Sequence, residues 1–346
     1  MERKASLPAM EASYERYSVV AIQTAFTSAS DRAVLSANLE RAVELIEGAL
    51  SGYADWGFPI KLVAFCEFCL QGIPYNTRED LAAADVLIRT DGPELERLAT
   101  VAAANEIYVH TGTFLEEDDA YPGLVFNTAC ILGPDGIALR YRKVNNWIPI
   151  ETFASPHLVK GYDEELFPVV ETPLGVLGCL TCYDATFPES FRELAMQGAE
   201  LVVLANAYPS PWQTEPPTNW LTIVPQVRSL ENCLYTVNTN QGGDLAPFQF
   251  NGGSAVFDWE GRILAQTLQR GEQYVLAHID MAGLRAWRGS TYQHLGPAHL
   301  RTDAFSYLQR EAFSGAQLGP DERLTQQHLR RLIDQGRERW LGSAPS

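Results

Sequence analysis

Residues 174–198, LGVLGCLTCYDATFPESFRELAMQG, decide how this chain is read. The run 174–181 is short, apolar and partly β-branched, as in a strand buried on both faces, and Pro188 opens a helical spacing that stops at Gly198. Cys182 therefore sits where a buried strand hands over to a helix. Open α/β folds place their sites at that carboxyl edge of a sheet.

The same alternation extends outward in both directions. Upstream, 17–25 (YSVVAIQTA) reads as a first buried strand, and Asp31 starts a helix whose Val34, Leu35, Leu39, Ala42, Val43 and Ile46 share one face. A strand at 61–65 ends just before Glu67, with a Gly-, Pro- and Asn-bearing loop after it. A helix at 92–105 precedes a strand at 107–113. Runs at 125–132 and 137–142 flank the turn GPDG as a hairpin that ends at Lys143, and 167–171 pairs with 176–181 across TPLG. Downstream come a strand at 201–205, a Pro-rich loop, a helix at 221–229 and a strand at 234–238. The hairpin 254–258/262–266 and a last strand at 274–279 follow. Many strands, alternating helices and interspersed hairpins predict one α/β sandwich domain over 17–285, two mixed sheets face to face with helices outside. Residues 1–16 are expected to be mobile. The tail 286–346 carries an amphipathic helix near 321–340 and is expected to contact an oligomer partner.

Composition narrows the function. A formal charge of −17 argues against nucleic acid or an anionic membrane as a partner, because both require a basic footprint. No apolar run reaches membrane-spanning length, and the start MERKASLPAM lacks a signal-peptide core. The six cysteines, at 66, 69, 130, 179, 182 and 233, lie largely in strand-like runs and are expected to be reduced, which predicts a cytoplasmic protein. Cys66 and Cys69 form a CxxC with no second pair at zinc spacing, so no metal is assigned. Cys130, Cys179 and Cys233 read as core residues.

Three polar residues stand just past three strand ends: Glu67, Lys143 and Cys182. A thiol nucleophile needs a base to take its proton and a cation to favour thiolate or oxyanion. Glu67 could supply the first and Lys143 the second. Glu67 stands among Phe65, Cys66, Phe68 and Cys69, a poor setting for an idle carboxylate.

The segments FCEFCLQG around Glu67, YRKVNNWIPIE around Lys143 and CYDATFPE from Cys182, in that order, resemble the nitrilase superfamily of carbon-nitrogen hydrolases. The resemblance covers about 18–279 and implies a four-layer αββα sandwich with a Glu-Lys-Cys triad. EFCLQGI and W-I-P-I-E are most similar to the aliphatic amidase and formamidase branch, which implies Glu151 as a fourth catalytic residue. Tyr183-Asp184 after the cysteine points the same way. The implied chemistry is hydrolysis of a small amide to acid and ammonia through a Cys182 thioester, with Glu67 as base and no cofactor. Lys143 and the Tyr183 backbone N–H would hold the oxyanion. Tyr183, Trp147, Phe68 and Ala207 are the implied substrate-binding residues, and a homo-oligomer is implied as well. Phe68 replaces a tyrosine of that branch, Asn146 replaces a proline, and TFASPHLVKGYDEELF after Glu151 does not match its loop. An N-carbamoyl amino acid amidohydrolase, a nitrilase, a scaffold with a vestigial site and a redox-sensing thiol are the alternatives.

Overall fold

The computed structural model describes residues 14–73, 77–147, 151, 153–210, 219–245, 248–290 and 294–305, with isolated positions 325, 327, 330 and 331. Apart from residues 14–16 and these four positions, the expected mobile N-terminus and the tail helix near 321–340 lie outside this range.

The strands are β1 (Arg16–Gln23), β2 (Ile60–Ala64), β3 (Tyr108–Glu116), β4 (Phe126–Gly133), β5 (Gly136–Arg142), β6 (Val169–Thr172) and β7 (Gly175–Thr181). After them come β8 (Leu201–Ala205), β9 (Tyr235–Thr239), β10 (Asp244–Leu245), β11 (Phe248–Gln249), β12 (Ala255–Phe257), β13 (Ile263–Gln266) and β14 (Gln273–Asp280). The helices are α1 (Arg32–Gly52), α2 (Arg78–Ala83), α3 (Pro93–Ala104), α4 (Pro188–Met196), α5 (Trp220–Asn232), α6 (Met281–Ser290) and α7 (Gly296–His299). Two six-stranded sheets form, ordered β14-β1-β2-β3-β4-β5 and β13-β12-β9-β8-β7-β6. Both are mixed: β1, β2 and β3 run parallel, as do β7, β8 and β9, and hairpins complete each sheet.

Strand alternation makes this a sandwich. Tyr17, Val19 and Ala21 of β1 with Leu62 and Ala64 of β2 join one core with residues of the second sheet, including Leu177, Cys179, Val203 and Val237. The opposite faces, including Val20, Ile22 and Val63, pack under Leu35, Leu39, Val43 and Ile46 of α1 and Leu95 and Leu98 of α3. The Asp31 carboxylate caps α1 at the Val34 N–H, 3.0 Å away. Burying each of those aliphatic side chains stabilises by about 1.5–3 kcal/mol, so α1 is held mainly by its inner face.

The α/β sandwich reading therefore holds. Several local readings change. The loop after Glu67 contains the short helix α2, and a one-turn 3₁₀ segment, Cys182–Thr186, separates β7 from α4. Helix α6 crosses position 285: Arg288 bonds the carbonyls of Cys233 and Ala199, and Arg285 pairs with Glu200. All six cysteines are free, and the CxxC sulfurs turn to separate partners, Cys66 to the Thr24 hydroxyl and Cys69 to the Thr111 carbonyl.

Candidate active site

Glu67, Lys143, Glu151 and Cys182 come together at one rim of the two facing sheets. The ends of β2 and β8 are joined there across the sandwich: Glu67 N–H donates to the Asn206 carbonyl at 3.2 Å and Thr239 Oγ1 to the Phe65 carbonyl at 2.9 Å. Gln241 Nε2 holds the Glu67 carbonyl at 2.9 Å. Glu67 therefore projects from an anchored turn. Its neighbour Phe68 takes φ +53°, a left-handed conformation that costs a non-glycine residue, and donates its N–H to Thr113 Oγ1.

Lys143 is fully buried and follows β5 directly. Its Nζ donates to Glu67 Oε1 at 2.8 Å and Glu151 Oε1 at 2.7 Å, and Asn127 Nδ2 gives a second donor to Glu67 Oε1 at 3.0 Å. Burial works to lower the Lys143 ammonium, but Glu151 and Glu67 outweigh it and hold the group well above its ordinary value. Burial, opposed by Lys143 and reinforced by Glu67, pushes Glu151 up to about 7. Glu151 also ties back on itself: Trp147 N–H donates to its Oε2 at 2.5 Å, and its own N–H to the Trp147 carbonyl at 3.0 Å.

Cys182 stands at φ +49°, the only strained position in the 3₁₀ turn it begins. Burial, then the Glu67 charge, pushes its thiol well up, while Lys143 and a backbone hydrogen bond from Ala207 pull the other way. The resting thiol is thus neutral and depends on a base to become a nucleophile. As second residue of that turn, Tyr183 has an N–H with no acceptor inside it.

Glu67, Glu151 and Cys182 line a cavity of about 20 Å³, room for roughly one water molecule, with Phe68, Trp147 and Ala207. Ile73, Pro209, Phe248 and Phe250 complete the described wall. Of the expected substrate-binding side chains, Tyr183 is the exception. Its ring packs edge-on against Phe187, 5.2 Å between centroids, and is not among the residues lining the cavity.

Comparison with known proteins fits this geometry. The carbon-nitrogen hydrolase family model matches residues 20–289. The chain belongs to the carbon-nitrogen hydrolase family. Formamidase of Bacillus cereus strain Q1 is 28% identical over 251 residues, covering 72% of this chain and 69% of that relative. The fold is that of Saccharomyces cerevisiae Nit3, a member of branch 10 of the nitrilase superfamily, at TM-score 0.67 and 24% identity over 83% of this chain and 99% of Nit3. It also matches an amidase from Nesterenkonia sp. AN1 at TM-score 0.62 and 18% identity, over 84% of this chain and 97% of that one. That structure is a Glu-to-Leu mutant with the acetamide moiety of fluoroacetamide added at the active-site cysteine. This carbon-nitrogen hydrolase is accordingly an enzyme of the nitrilase superfamily, in the neighbourhood of the amidases and formamidases.

Three further residues shape the hydrolase site. Asn127 holds Glu67; a polar residue inside the buried strand FNTACILG was the signal for it. Asp184, fully buried, accepts from Tyr141 Oη at 2.6 Å, Asn145 N–H at 2.8 Å and Thr181 N–H at 3.1 Å, and so ties the nucleophile turn to the segment after Lys143. Tyr208, next to Ala207, is close enough to feel Cys182, Lys143 and Glu67; burial first and Cys182 second push its phenol up.

Proposed function

We propose that this enzyme hydrolyses a small aliphatic amide of formamide-like size through a Cys182 thioester. The observation that carries the reading is a buried Glu67–Lys143–Glu151 network against a neutral thiol at a small, water-sized cavity. Glu67 takes the thiol proton as Cys182 Sγ bonds to the amide carbonyl carbon. The oxyanion is held by Lys143 Nζ and the Tyr183 N–H. The C–N bond then breaks, and ammonia leaves with the proton returned from Glu67. Water, deprotonated by the same carboxylate, attacks the thioester, the C–S bond breaks, and the acid departs with Cys182 reprotonated. Glu151 orients Lys143 and the amide nitrogen.

Two supports bear on substrate size. The cavity has little room beyond a reacting carbon, and the relatives at 28% identity are formamidases. Among the described lining residues no arginine stands ready for the carboxylate of a carbamoyl amino acid. The test is a panel of formamide, acetamide, butyramide, an N-carbamoyl amino acid and a nitrile, read by ammonia and acid release. We expect kcat/KM to fall steeply from formamide to butyramide, and no turnover by Cys182→Ala. A preference for the carbamoyl compound or the nitrile, or turnover by Cys182→Ala, would defeat the reading.

We propose a homo-oligomer as well, supported by α5, where Trp220, Ile223, Val227 and Leu230 are 38–49% exposed along one side of the helix. Ile223→Glu with Leu230→Glu should move the protein to smaller species on sizing at unchanged circular dichroism. An unchanged elution volume removes this face from the assembly.

A further inference from the structure

Beside Lys143 lies a second buried cation that the catalytic scheme does not use. The Arg142 side chain is 1% exposed and makes a two-pronged pair with Glu116, Nε to Oε2 and Nη2 to Oε1, each 2.8 Å. Its Nη2 also donates to Asp118 Oδ2 at 2.5 Å and its Nη1 to Glu164 Oε1 at 3.0 Å. The guanidinium lies 4.2 Å from the Phe126 ring centroid, with Tyr121 at 5.2 Å and Tyr162 at 5.8 Å, and Tyr121 stacks on Tyr162. Arginine suits such a position because its planar fork serves several carboxylates and stacks on rings at once.

What this cluster holds is the segment that returns from Lys143. Glu164 and Tyr162 lie at its far end; Ala154 and Val159, in its middle, pack with Leu124 and Phe126 over the guanidinium. Ala154 N–H donates to the Val125 carbonyl at 2.7 Å, Asn146 Nδ2 to the Phe153 carbonyl at 2.6 Å, and Ser155 Oγ to the Val144 carbonyl. Glu151 is carried between these fixed points, with Phe153 beside it 6.4 Å from Phe68. Residues 142 and 143 thus hold two points of one loop, Arg142 its far end through Glu164 and Lys143 its interior through Glu151.

We propose that Arg142 is a positioning residue: by clasping Glu164 it closes the 143–164 segment and sets the Glu151 carboxylate against Lys143 Nζ. The proposal rests on the functional reading above, in which Glu151 serves catalysis. A carboxylate displaced by about 1 Å loses much of its effect, because the 2.7 Å bond to Lys143 has no slack.

Substituting Arg142 takes the two-pronged partner from buried Glu116 and leaves Glu116, Asp118 and Glu164 to Arg140 alone, which unsettles folding. The test therefore cuts at Glu164, which is 31% exposed and bridges Arg142 and Arg140. Glu164→Gln, Glu151→Gln and the double variant are assayed for kcat, KM and melting temperature. Expected are a fall in kcat between about tenfold and 10²-fold for Glu164→Gln, a KM within about twofold of wild type and a nearly unchanged melting temperature. On the Glu151→Gln background the Glu164 substitution should add less than about twofold, since both act through one carboxylate. Wild-type kcat in Glu164→Gln, or losses that simply multiply in the double variant, would overturn the clasp. Wild-type kcat in Glu151→Gln would instead overturn the role given to Glu151.

Discussion

Arg142 and Lys143 are consecutive residues at the end of one strand, both buried, and each is surrounded by carboxylates: Glu116, Asp118 and Glu164 around the first, Glu67 and Glu151 around the second. Strand alternation sends them to opposite sides. The Arg142 cluster is sealed under three aromatic rings, whereas the carboxylates on Lys143 open onto the cavity beside Cys182. Three ion pairs on Arg142 and two on Lys143 therefore serve unequal ends. Where the cation is packed against rings and arginine keeps its proton, the cluster can only hold shape. Where a cavity adjoins and one carboxylate sits near neutrality, the same arrangement can pass a proton.

Exchanging each cation for methionine breaks the comparison most directly. Lys143→Met removes the proposed oxyanion donor, and kcat should fall by on the order of 10²-fold or more. Its folding cost should be modest, because Glu151, already pushed up to about 7, can take up a proton when the ammonium is gone. Arg142→Met takes the two-pronged partner from the fully buried Glu116 and leaves it only Arg140 at 3.4 Å, for which about 3 kcal/mol of lost stability is expected. Urea titrations of both variants beside their steady-state rates check this. If Lys143→Met were the less stable of the two, or kept its rate, the division of labour would be wrong.

The two clusters were also unequally legible from the residues alone. Lys143, Glu67 and Cys182 each follow a short apolar run, so their convergence at one rim could be anticipated from the strand ends. Arg142 carries no such mark; it reads as one more charge on a hairpin, and only the packing of Tyr121, Phe126 and Tyr162 around it reveals its burial. Asp184 was visible as a residue type beside the nucleophile, but its bonds to Tyr141, Asn145 and Thr181 depend on tertiary contact. The edge-on packing of the Tyr183 ring on Phe187 likewise depends on the fold of the turn and carries no mark in the sequence. Helix α6, MAGLRAWRGS, was missed because its two glycines weaken the helical signal, and its anchors, Arg288 on the carbonyls of Cys233 and Ala199 and Arg285 on the Glu200 carboxylate, depend on tertiary contact.

A smaller effect sharpens the contrast through pH. Glu151 faces Lys143, Glu67 and Cys182; the lysine and the thiol are both pushed up, the first by its carboxylates and the second by burial. With Glu151 at about 7, raised chiefly by burial, its carboxylate form is lost as pH falls through that value, and kcat should drop about tenfold per unit below it. Glu151→Gln should abolish that inflection; an inflection that survives belongs to another group. Stability runs the other way. A carboxyl whose folded pKa lies above its ordinary 4.5 makes the native state the better proton binder, so its contribution is fully present below 4.5 and lost as pH rises through about 7. The same window thus trades stability for activity at the Lys143 cluster, whereas no such opposition is expected from Arg142, whose guanidinium is never deprotonated. Melting curves of wild type and Glu151→Gln across pH 4.5–7.5 should converge at the acid end and separate toward neutrality, the variant being the more stable there. Parallel curves would mean that the Glu151 proton is not linked to folding and that the two clusters differ in access alone.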